Sequence, residues 1–252
     1  MSATSGDSSG LARMLSVLEF FDDAHPSHSA ESLAEVLNVS LPTIYRYVRL
    51  LVDAGLLQRV AESRVALGPR IIVLDHHIRQ ADPVLRHGAP FMAELVTATG
   101  FDCVISALYG DQLLDTHREY SQVPATLSYG RGRPRPLFLG AAPKAILSRF
   151  SPARLRKLFD RSTEEIAAAG LPAEWSAFRR YFAQVRKAGY YLSSGELEPQ
   201  LAALAAPMLS GNGDILGAIS VVTSVDRMAM IDLDKLATRV MRAADDIAAR
   251  AG

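Results

Sequence analysis

The sequence predicts an α+β protein in two parts: a small helical part that ends in a β-hairpin, then a larger antiparallel sheet flanked by helices. Up to residue 54, apolar residues recur three and four positions apart, which is typical of amphipathic helices. After Gly55 the pattern changes to short β-like runs. From Gly100 onward, strand-like runs alternate with helical runs, as in the α+β class.

Two short helices are predicted at the start of the chain. The first covers residues 11–24 and ends before Pro26. The second begins after Ser29, which is a favourable N-cap, and it carries Glu31 in its first turn near the positive end of the helix dipole.

A third helix and a hairpin complete the N-terminal part. Ser40 can cap the third helix, which is expected to stop at Gly55, a natural residue just beyond a helix end. Residues 56–60 and 64–67 are predicted strands, joined by a short loop over 61–63. Three helices followed by a small hairpin are the element order of a winged helix-turn-helix.

A further helix over residues 71–80 is expected to break at Pro83, because a proline disfavours helical backbone in the residue before it. This break suggests a domain boundary. The predicted organisation is a flexible tail over 1–9, a winged helix-turn-helix domain over 10–68, a linker helix over 69–82 and a C-terminal domain over 83–252.

The helices and strands of the C-terminal part are predicted from the same signals: apolar residues three and four apart for helices, and short β-like runs for strands. Its expected strands are 103–108, 112–120, one that begins at 189–191, 201–208 and 215–223. Its expected helices are 83–99, 137–150, 151–159, 175–188 and 233–250.

Composition excludes several classes of protein. The 252 residues carry 27 basic and 27 acidic side chains, so the broad positive field of a polybasic nucleic-acid coat is absent. Cys103 is the single cysteine, which rules out an intrachain disulfide and a cysteine-rich metal site. No apolar run reaches the roughly 18 residues of a membrane span, and the N-terminus does not resemble a signal peptide, so a cytoplasmic protein without a membrane partner is expected.

The third helix has two chemically different faces. Ile44, Val48, Leu51 and Val52 are expected to pack inward. The outward residues suit phosphate oxygens and base edges in a DNA major groove, and an arginine among them suits a guanine. The candidate DNA contacts are Ser40, Pro42, Thr43, Tyr45, Arg46 and Arg49, with Arg64 at the hairpin tip. The alternative is an ordinary solvated helix face.

In its order of motifs, the chain resembles the IclR family of bacterial transcriptional regulators over residues 10–250. The N-terminal motifs are Leu11 through Glu19, Leu33-Ala34, Leu41-Pro42-Thr43-Ile44-Tyr45-Arg46 and Leu67-Gly68-Pro69-Arg70. The C-terminal motifs are Pro136 through Lys144, Gly189-Tyr190, Ala205-Ala206-Pro207 and Gly217-Ala218-Ile219-Ser220-Val221. Each is weak alone, and together at this spacing they are specific.

The resemblance implies a regulator with a winged-helix DNA-binding domain, a linker helix and a GAF-like effector domain. It further implies double-stranded operator DNA and a small-molecule effector as partners, and a homodimer or a dimer of dimers. The effector positions it implies are Leu127, Ala141, Ala142, Ser193, Leu201, Ala203, Ser220 and Val222.

The chain departs from the family pattern in the implied pocket. Phe138 and Gly140 stand where the family has His and Thr or Ser, and Ser193-Ser194 replace an acidic pair. We therefore expect a less polar pocket that binds a larger organic or aromatic carboxylate through serine hydroxyls and backbone N–H groups.

Other polar residues leave alternatives open. Arg131, Arg133 and Arg135 suit either an anion clamp or an exposed basic loop. His76 and His77 are adjacent on a helix and point about 100° apart, which disfavours one shared metal.

The competing function is an enzyme on the C-terminal domain. The sequence contains no G-x-S-x-G nucleophile motif, no HExxH metal motif, no P-loop and no GxGxxG after a strand, so no catalytic activity and no cofactor are expected. Scattered candidates such as Ser193, Ser194, Glu196 and His117 have no motif relationship.

Overall fold

The computed structural model describes residues 10–61, 63–127 and 129–252. The chain divides into two compact units, Met1–Ala81 and Asp82–Gly252. The tail predicted over residues 1–9 and Glu62 of the predicted hairpin loop lie outside the described residues.

The first unit is mainly helical. Its helices are α1 (Gly10–Leu15), α2 (Ala30–Leu37), α3 (Leu41–Asp53) and α4 (Arg70–Ala81), with a 3-10 turn over Ser16–Phe20. The prediction of one helix over 11–24 is therefore wrong beyond Leu15. The Ser16 hydroxyl donates a hydrogen bond of 2.9 Å to the Arg13 carbonyl, and such local side-chain bonds compete with regular helix.

The start of α2 and both ends of α3 lie at the predicted residues, with one difference in how a helix is capped. The Ser29 hydroxyl accepts a hydrogen bond from the Ser32 N–H at 3.2 Å and so caps α2 as predicted. Ser40 occupies the N-cap of α3, but its hydroxyl meets the Thr43 hydroxyl at 2.9 Å instead of a backbone N–H. Gly55 follows α3 with a φ of +73°, a left-handed conformation that favours glycine.

A three-stranded antiparallel sheet completes the first unit. It consists of β1 (Ser27–His28), β2 (Leu57–Arg59) and β3 (Val65–Leu67) in the order β1-β3-β2. The two strands of the hairpin were predicted, whereas β1 is too short to give a periodic signal. One buried cluster joins the helices to this sheet, and it includes Leu33, Ile44, Leu51, Leu57 and Val65.

The second unit is built on a six-stranded antiparallel sheet in the order β6-β5-β4-β9-β8-β7. The strands are β4 (Asp102–Tyr109), β5 (Gln112–Glu119), β6 (Pro134–Arg135), β7 (Tyr191–Ser194), β8 (Leu201–Leu209) and β9 (Ile215–Ser224). The neighbouring strands β8 and β9 lie in register from Leu201 opposite Ser224 to Pro207 opposite Ala218.

Helices cover both faces of this sheet. They are α5 (Pro83–Thr99), α6 (Ala141–Leu147), α7 (Pro152–Arg161), α8 (Thr163–Ala168), α9 (Trp175–Ala188), α10 (Val225–Ala229) and α11 (Leu233–Ala251). Residues of α5 and α11 share one apolar cluster with alternate sheet residues such as Leu204 and Val221. Residues of α6 to α9 share the other cluster with Ala205 and Ala218.

The α+β prediction is confirmed, with corrections at particular elements. The helix predicted over 137–150 covers only Ala141–Leu147. It begins no earlier than Ala141 because Gly140 has a φ of +90° and is not helical. The short elements β6, α8 and α10 were not predicted. Within the described part of the chain, no helix has the length and apolar character to span a membrane.

Candidate functional site

The two faces of α3 differ in burial. Ile44, Tyr47, Val48 and Leu51 are buried against the rest of the first unit. Tyr47 was missing from the predicted inward face, and Val52, which was included, is half-buried. The polar side of the helix is therefore turned to solvent, which is the condition for reading DNA.

The outward residues of α3 are accessible and carry weak contacts. Pro42, Tyr45, Arg46 and Arg49 are exposed, and Thr43 is half-buried. The Arg49 Nε lies 3.9 Å from the Asp53 carboxylate, and both side chains are largely exposed. Such an exposed pair contributes at most about 1 kcal/mol, so solvent or a phosphate group can replace it at little cost.

Tyr45 and Arg64 have partners that the sequence did not indicate. The Tyr45 hydroxyl donates to the Glu31 carboxylate at 3.3 Å, from α3 to α2. The Arg64 Nε donates to the Ser27 hydroxyl at 2.9 Å, and its Nη2 donates to the Ser27 carbonyl. Arg64 therefore ties β1 to the hairpin in this structure, although its side chain remains exposed.

A cavity lies in the second unit between the sheet, the start of α6 and the segments 127–135 and 193–203. Its volume is about 40 Å³, counted as the space that the centre of a water molecule can occupy, so in this conformation it has room for only a few water molecules. Six of the residues implied by the family resemblance line it, namely Leu127, Ala141, Ser193, Leu201, Ala203 and Val222.

Two of the implied positions lie outside the cavity lining. Ala142 is buried in the apolar cluster that joins α6 to the sheet. The Ser220 hydroxyl is buried and donates to the Val104 carbonyl at 3.3 Å. Ala142 follows the lining residue Ala141 on α6, and successive residues of a helix point about 100° apart. Ser220 lies on the same face of β9 as the lining residue Val222 but at a different position along the strand.

The cavity lining includes charged side chains that the sequence did not indicate, and it excludes Phe138. Phe138 does not line it, because this side chain is 2% exposed within the apolar cluster of α6 to α9. Asp115, Arg135 and Glu198 do line it, together with Tyr129. Phe138 therefore does not contribute to the cavity lining, and the expectation of a pocket less polar than that of other family members stays a prediction.

Arg135 and Asp115 form the charged pair of the cavity. The Arg135 Nη1 donates to the two Asp115 carboxylate oxygens at 3.0 and 3.3 Å, and the Ser106 hydroxyl donates to the same carboxylate at 2.7 Å. The side chains of Arg135 and Asp115 are 11% and 4% exposed. Of the three arginines considered for an anion clamp, Arg135 alone lines this cavity, while Arg131 and Arg133 are exposed.

Asp102 anchors the turn over residues 121–125, which precedes the lining residues Leu127 and Tyr129. Its carboxylate accepts hydrogen bonds from the Ser121 N–H at 2.7 Å and the Ala125 N–H at 2.9 Å, and it pairs with Arg118. Burial raises the pKa of Asp102, but the bonds from Arg118, Ser121 and Ala125 together outweigh it and hold the pKa below its ordinary value.

A second buried polar cluster lies beside the start of α6. The Lys144 Nζ donates to the Glu196 carboxylate at 2.6 Å, and the Gly140 N–H donates to the same carboxylate at 2.9 Å. The Tyr191 hydroxyl donates to Glu196 at 2.8 Å and accepts from Tyr181 at 2.7 Å. Burial and these two partners raise the pKa of Tyr191, so the phenol stays protonated.

Several candidates for chemistry are not brought together. Among the described residues, no group of three or more His, Cys, Asp and Glu side chains could hold a metal. The His117 Nε2 lies 3.8 Å from Glu119 and does not line the cavity. Cys103 is fully buried, and this burial raises the pKa of its thiol.

Sequence reasoning missed Asp115 and Glu198 as lining residues, and it left Arg135 open between an anion clamp and an exposed basic loop. Each lies on a different segment, and no spacing along the chain predicts that they meet. The one signal in the sequence was the arginine-rich segment 131–135, which left the clamp and the exposed loop equally open.

Two family models match the chain. The IclR helix-turn-helix domain covers residues 10–61, and the bacterial transcriptional regulator IclR C-terminal domain covers residues 76–249. The chain belongs to the IclR family of bacterial transcriptional regulators. It therefore combines a DNA-binding helix-turn-helix domain with a C-terminal effector-binding domain, and the candidate DNA contacts and the cavity lie in these two parts respectively.

Relatives support this assignment over the whole chain. A probable HTH-type transcriptional regulator, ArcR, of Halobacterium salinarum is 23% identical, and the match covers 98% of this chain and 97% of the relative. An IclR-family regulator from Alicyclobacillus acidocaldarius has a similar fold, with 20% identity, a TM-score of 0.78, and coverage of 98% of this chain and 100% of that one. An IclR homologue from Microbacterium hydrocarbonoxydans, solved in complex with 4-hydroxybenzoate, has 21% identity, a TM-score of 0.72, and coverage of 95% and 98%.

Proposed function

We propose that this IclR-family regulator controls a catabolic operon, and that an organic or aromatic acid bound in the cavity of the second unit changes its affinity for operator DNA. The observation that carries the proposal is a cavity containing a buried arginine in the effector-binding domain of a DNA-binding regulator. An arginine side chain suits a carboxylate ligand because its planar N–H groups match the two carboxylate oxygens.

The exposed face of α3 supplies the proposed base contacts. Arg46 and Arg49 have guanidinium groups that can pair with a guanine, and Ser40, Thr43 and Tyr45 have hydroxyls suited to phosphate oxygens. Pro42 places the start of the helix close to the DNA backbone. Arg64 would contact the backbone or the minor groove, and to do so it would have to exchange its bonds to Ser27.

The net charge of the first 80 residues favours DNA binding through a few specific contacts, repeated in a second copy of the domain, over binding through overall electrostatic attraction. Residues 1–80 contain seven arginines, no lysine and nine acidic side chains, so 7 − 9 gives a net charge of −2. Non-specific affinity, which depends on phosphate neutralisation, should therefore be weak. Two copies of the domain on adjacent half-sites would multiply the few contacts that each can make.

A homo-oligomer is supported by exposed apolar side chains in the first unit. Leu11 and Leu15 of α1 are 70% and 52% exposed, and Ile72 and Ile78 of α4 are 74% and 58% exposed. Where such side chains form one contiguous patch on a folded domain, they mark an interaction surface. We propose that they pair two copies of this chain, in a dimer or in a dimer of dimers.

The proposed effector contacts are the six lining residues implied by the resemblance, from Leu127 to Val222, with Arg135 added. Leu127, Leu201 and Val222 would contact the apolar body of the acid, and Ser193 offers a hydroxyl. The 4-hydroxybenzoate complex of the Microbacterium homologue supports an aromatic acid as one candidate.

An electrophoretic shift of the DNA upstream of this protein's own gene tests the proposal. The full-length protein should shift this DNA, and a panel of organic and aromatic acids should contain one that changes the shift. If the protein shifts no upstream DNA with or without a metabolite extract, the regulator proposal fails. Turnover of an acid without any effect on DNA would favour the alternative enzyme.

A further inference from the structure

We propose that a groove along α7 in the second unit is a second ligand site, and that it binds a small organic dianion with an apolar body. The groove lies against α7, the end of β4 and the turn that joins β4 to β5. Its ligand would carry a phosphate ester or two carboxylates on an aliphatic or aromatic group. The inference goes beyond the proposed effector cavity, because the described linings of the two sites share no residue.

The α7 groove is larger than the effector cavity. Its volume is about 120 Å³, counted as the space that the centre of a water molecule can occupy, against about 40 Å³ for the cavity. A single water molecule needs roughly 10–15 Å³ on this measure, so the groove has space for several water molecules or for a small ring. It can therefore admit a small molecule in the conformation seen here.

Apolar side chains form one part of the groove lining. Phe150 and Leu158 are buried, and Leu108 and Leu137 are half-buried beside them. An apolar group of a ligand that covers these side chains removes apolar surface from water, which is favourable. The apolar part of the lining is the reason why an inorganic anion alone would not fill the site.

Three cations of α7 lie along the same groove. Arg154, Lys157 and Arg161 are three and four residues apart, so they share one side of the helix, and all three are exposed. Asp111, in the turn between β4 and β5, is the one carboxylate in the described lining. The charged lining side chains therefore have a net charge of +2, which favours a ligand with two negative charges.

The single carboxylate is occupied by one of these cations. The Arg161 Nη2 lies 2.5 Å from an Asp111 carboxylate oxygen, and Glu165 of α8, outside the groove lining, also attracts Arg161. Lys157, by contrast, has no hydrogen bond or ion pair with the described residues. The positive charge at Lys157 is therefore available to a ligand.

The other side of α7 shows a different arrangement. There Arg156 pairs with Asp160, four residues further along the helix, at 2.8 Å. Neither Arg156 nor Asp160 lines the groove. Excess positive charge is thus confined to the side of α7 that borders the apolar lining, whereas the cation on the other side has a carboxylate partner within the helix.

Arg154 is held over the apolar part of the groove. The central carbon of its guanidinium lies 3.8 Å from the centre of the Phe150 ring. A guanidinium over a ring face keeps its N–H donors at its edges, and no described residue accepts a hydrogen bond from these side-chain donors. Arg154 is therefore positioned to donate to a phosphate or a carboxylate whose apolar body lies on Phe150.

Isothermal titration of the full-length protein at low ionic strength, where screening is weakest, tests the inference. Phenyl phosphate and phthalate are the dianionic probes, and they distinguish a phosphate ester from a dicarboxylate. We expect at least one of them to bind, and to bind at least fivefold more tightly than inorganic phosphate, which lacks the apolar body. Benzyl alcohol, which has the ring without a charge, should bind more weakly than either dianion.

Variants of Lys157 assign this binding to the groove. Lys157→Glu changes the net charge of the lining from +2 to zero, so it should weaken binding of the dianion at least tenfold. Lys157→Met should weaken it at least threefold. Lys187→Glu, the same change at an exposed position of α9 outside the groove, is the matched control and should bind like the wild type.

Thermal melting without ligand verifies that each variant is folded. Binding of neither dianion, equal binding by Lys157→Glu and the wild type, or equally tight binding of inorganic phosphate would each overturn the inference. If Lys157→Glu lost operator affinity and bound the dianion like the wild type, this surface would be a DNA contact and the inference would be wrong. The proposed function is tested separately by the operator shift, so it can stand or fall whatever these titrations give.

Discussion

The outward face of α3 and the cavity of the second unit hold polar groups in opposite ways. On α3, Arg46, Arg49 and Tyr45 are exposed and come from one helix, where spacing alone places them side by side. In the cavity, Asp115 and Arg135 come from different strands and are buried against each other. The proposed function therefore predicts that the exposed groups of α3 can be replaced at little cost in stability, whereas replacing the buried groups of the cavity lowers stability as well.

The largest loss of unfolding free energy is expected for Lys144→Met, in the buried polar cluster beside the cavity. The substitution leaves the Glu196 carboxylate, which is 21% exposed, without its cation. Removing one partner of a buried ion pair costs about 3 kcal/mol of unfolding free energy. Urea unfolding followed by the fluorescence of Trp175, the single tryptophan and a residue of the second unit, measures this loss.

Lys157→Met is the matched control for this experiment, because Lys157 is exposed on α7. It should change the unfolding free energy by less than about 0.5 kcal/mol. If Lys144→Met were as stable as the wild type, the buried polar groups of the second unit would not stabilise the fold more than the exposed groups of α3.

Arg46→Ala should weaken operator binding by about 100-fold while leaving stability and effector binding unchanged. A bidentate arginine–guanine pair is worth about 1–3 kcal/mol, and a dimer would lose it twice. Fluorescence anisotropy with labelled operator DNA measures the change. Arg180→Ala, an equal change of charge at an exposed position of α9, should bind DNA like the wild type.

The sequence predicted the α3 surface and most of the fold, but not the charged part of the cavity. Periodicity within one helix places Arg46 and Arg49 together, and helix α9 was predicted at both of its ends. The meeting of Asp115, Arg135 and Glu198 depends on strand pairing and on a loop, which local spacing does not encode. Ala142 and Ser220 were assigned to the cavity from the resemblance, and neither side chain lines it in this structure.

Asp102→Asn should lower stability by about 1–3 kcal/mol at pH 7, because an amide cannot replace the charged acceptor for Arg118, Ser121 and Ala125. The folded pKa of Asp102 is lowered, so its stabilisation is fully present above the unfolded value of about 3.9 and is lost as the pH falls through the folded pKa. Urea unfolding at pH 7 and at pH 3 should show that the difference in unfolding free energy between the wild type and Asp102→Asn is smaller at pH 3.

Asp214→Asn, at an exposed turn, is the control and should change the free energy of unfolding at pH 7 by less than about 0.5 kcal/mol. A constant difference between wild type and Asp102→Asn from pH 7 to pH 3 would contradict the role given to this carboxylate.

Tyr45→Phe should give the smallest effect on stability, within about 0.5 kcal/mol, because its bond to Glu31 is 3.3 Å long and exposed. Its proposed role at a phosphate predicts a loss of DNA affinity that is about equal for operator and unrelated DNA. Anisotropy with both DNAs separates this result from a loss specific to the operator, which would indicate a base contact instead.

The most direct measurement is the affinity for operator DNA with and without a saturating acid that binds the cavity. Coupling between two sites of one protein is commonly worth about 1–3 kcal/mol, so the dissociation constant should change by about fivefold or more in the wild type. The same acid should have no effect on the Arg135→Met, Asp115→Asn double variant. An operator dissociation constant that is unchanged by every acid that binds the wild type would contradict the central claim.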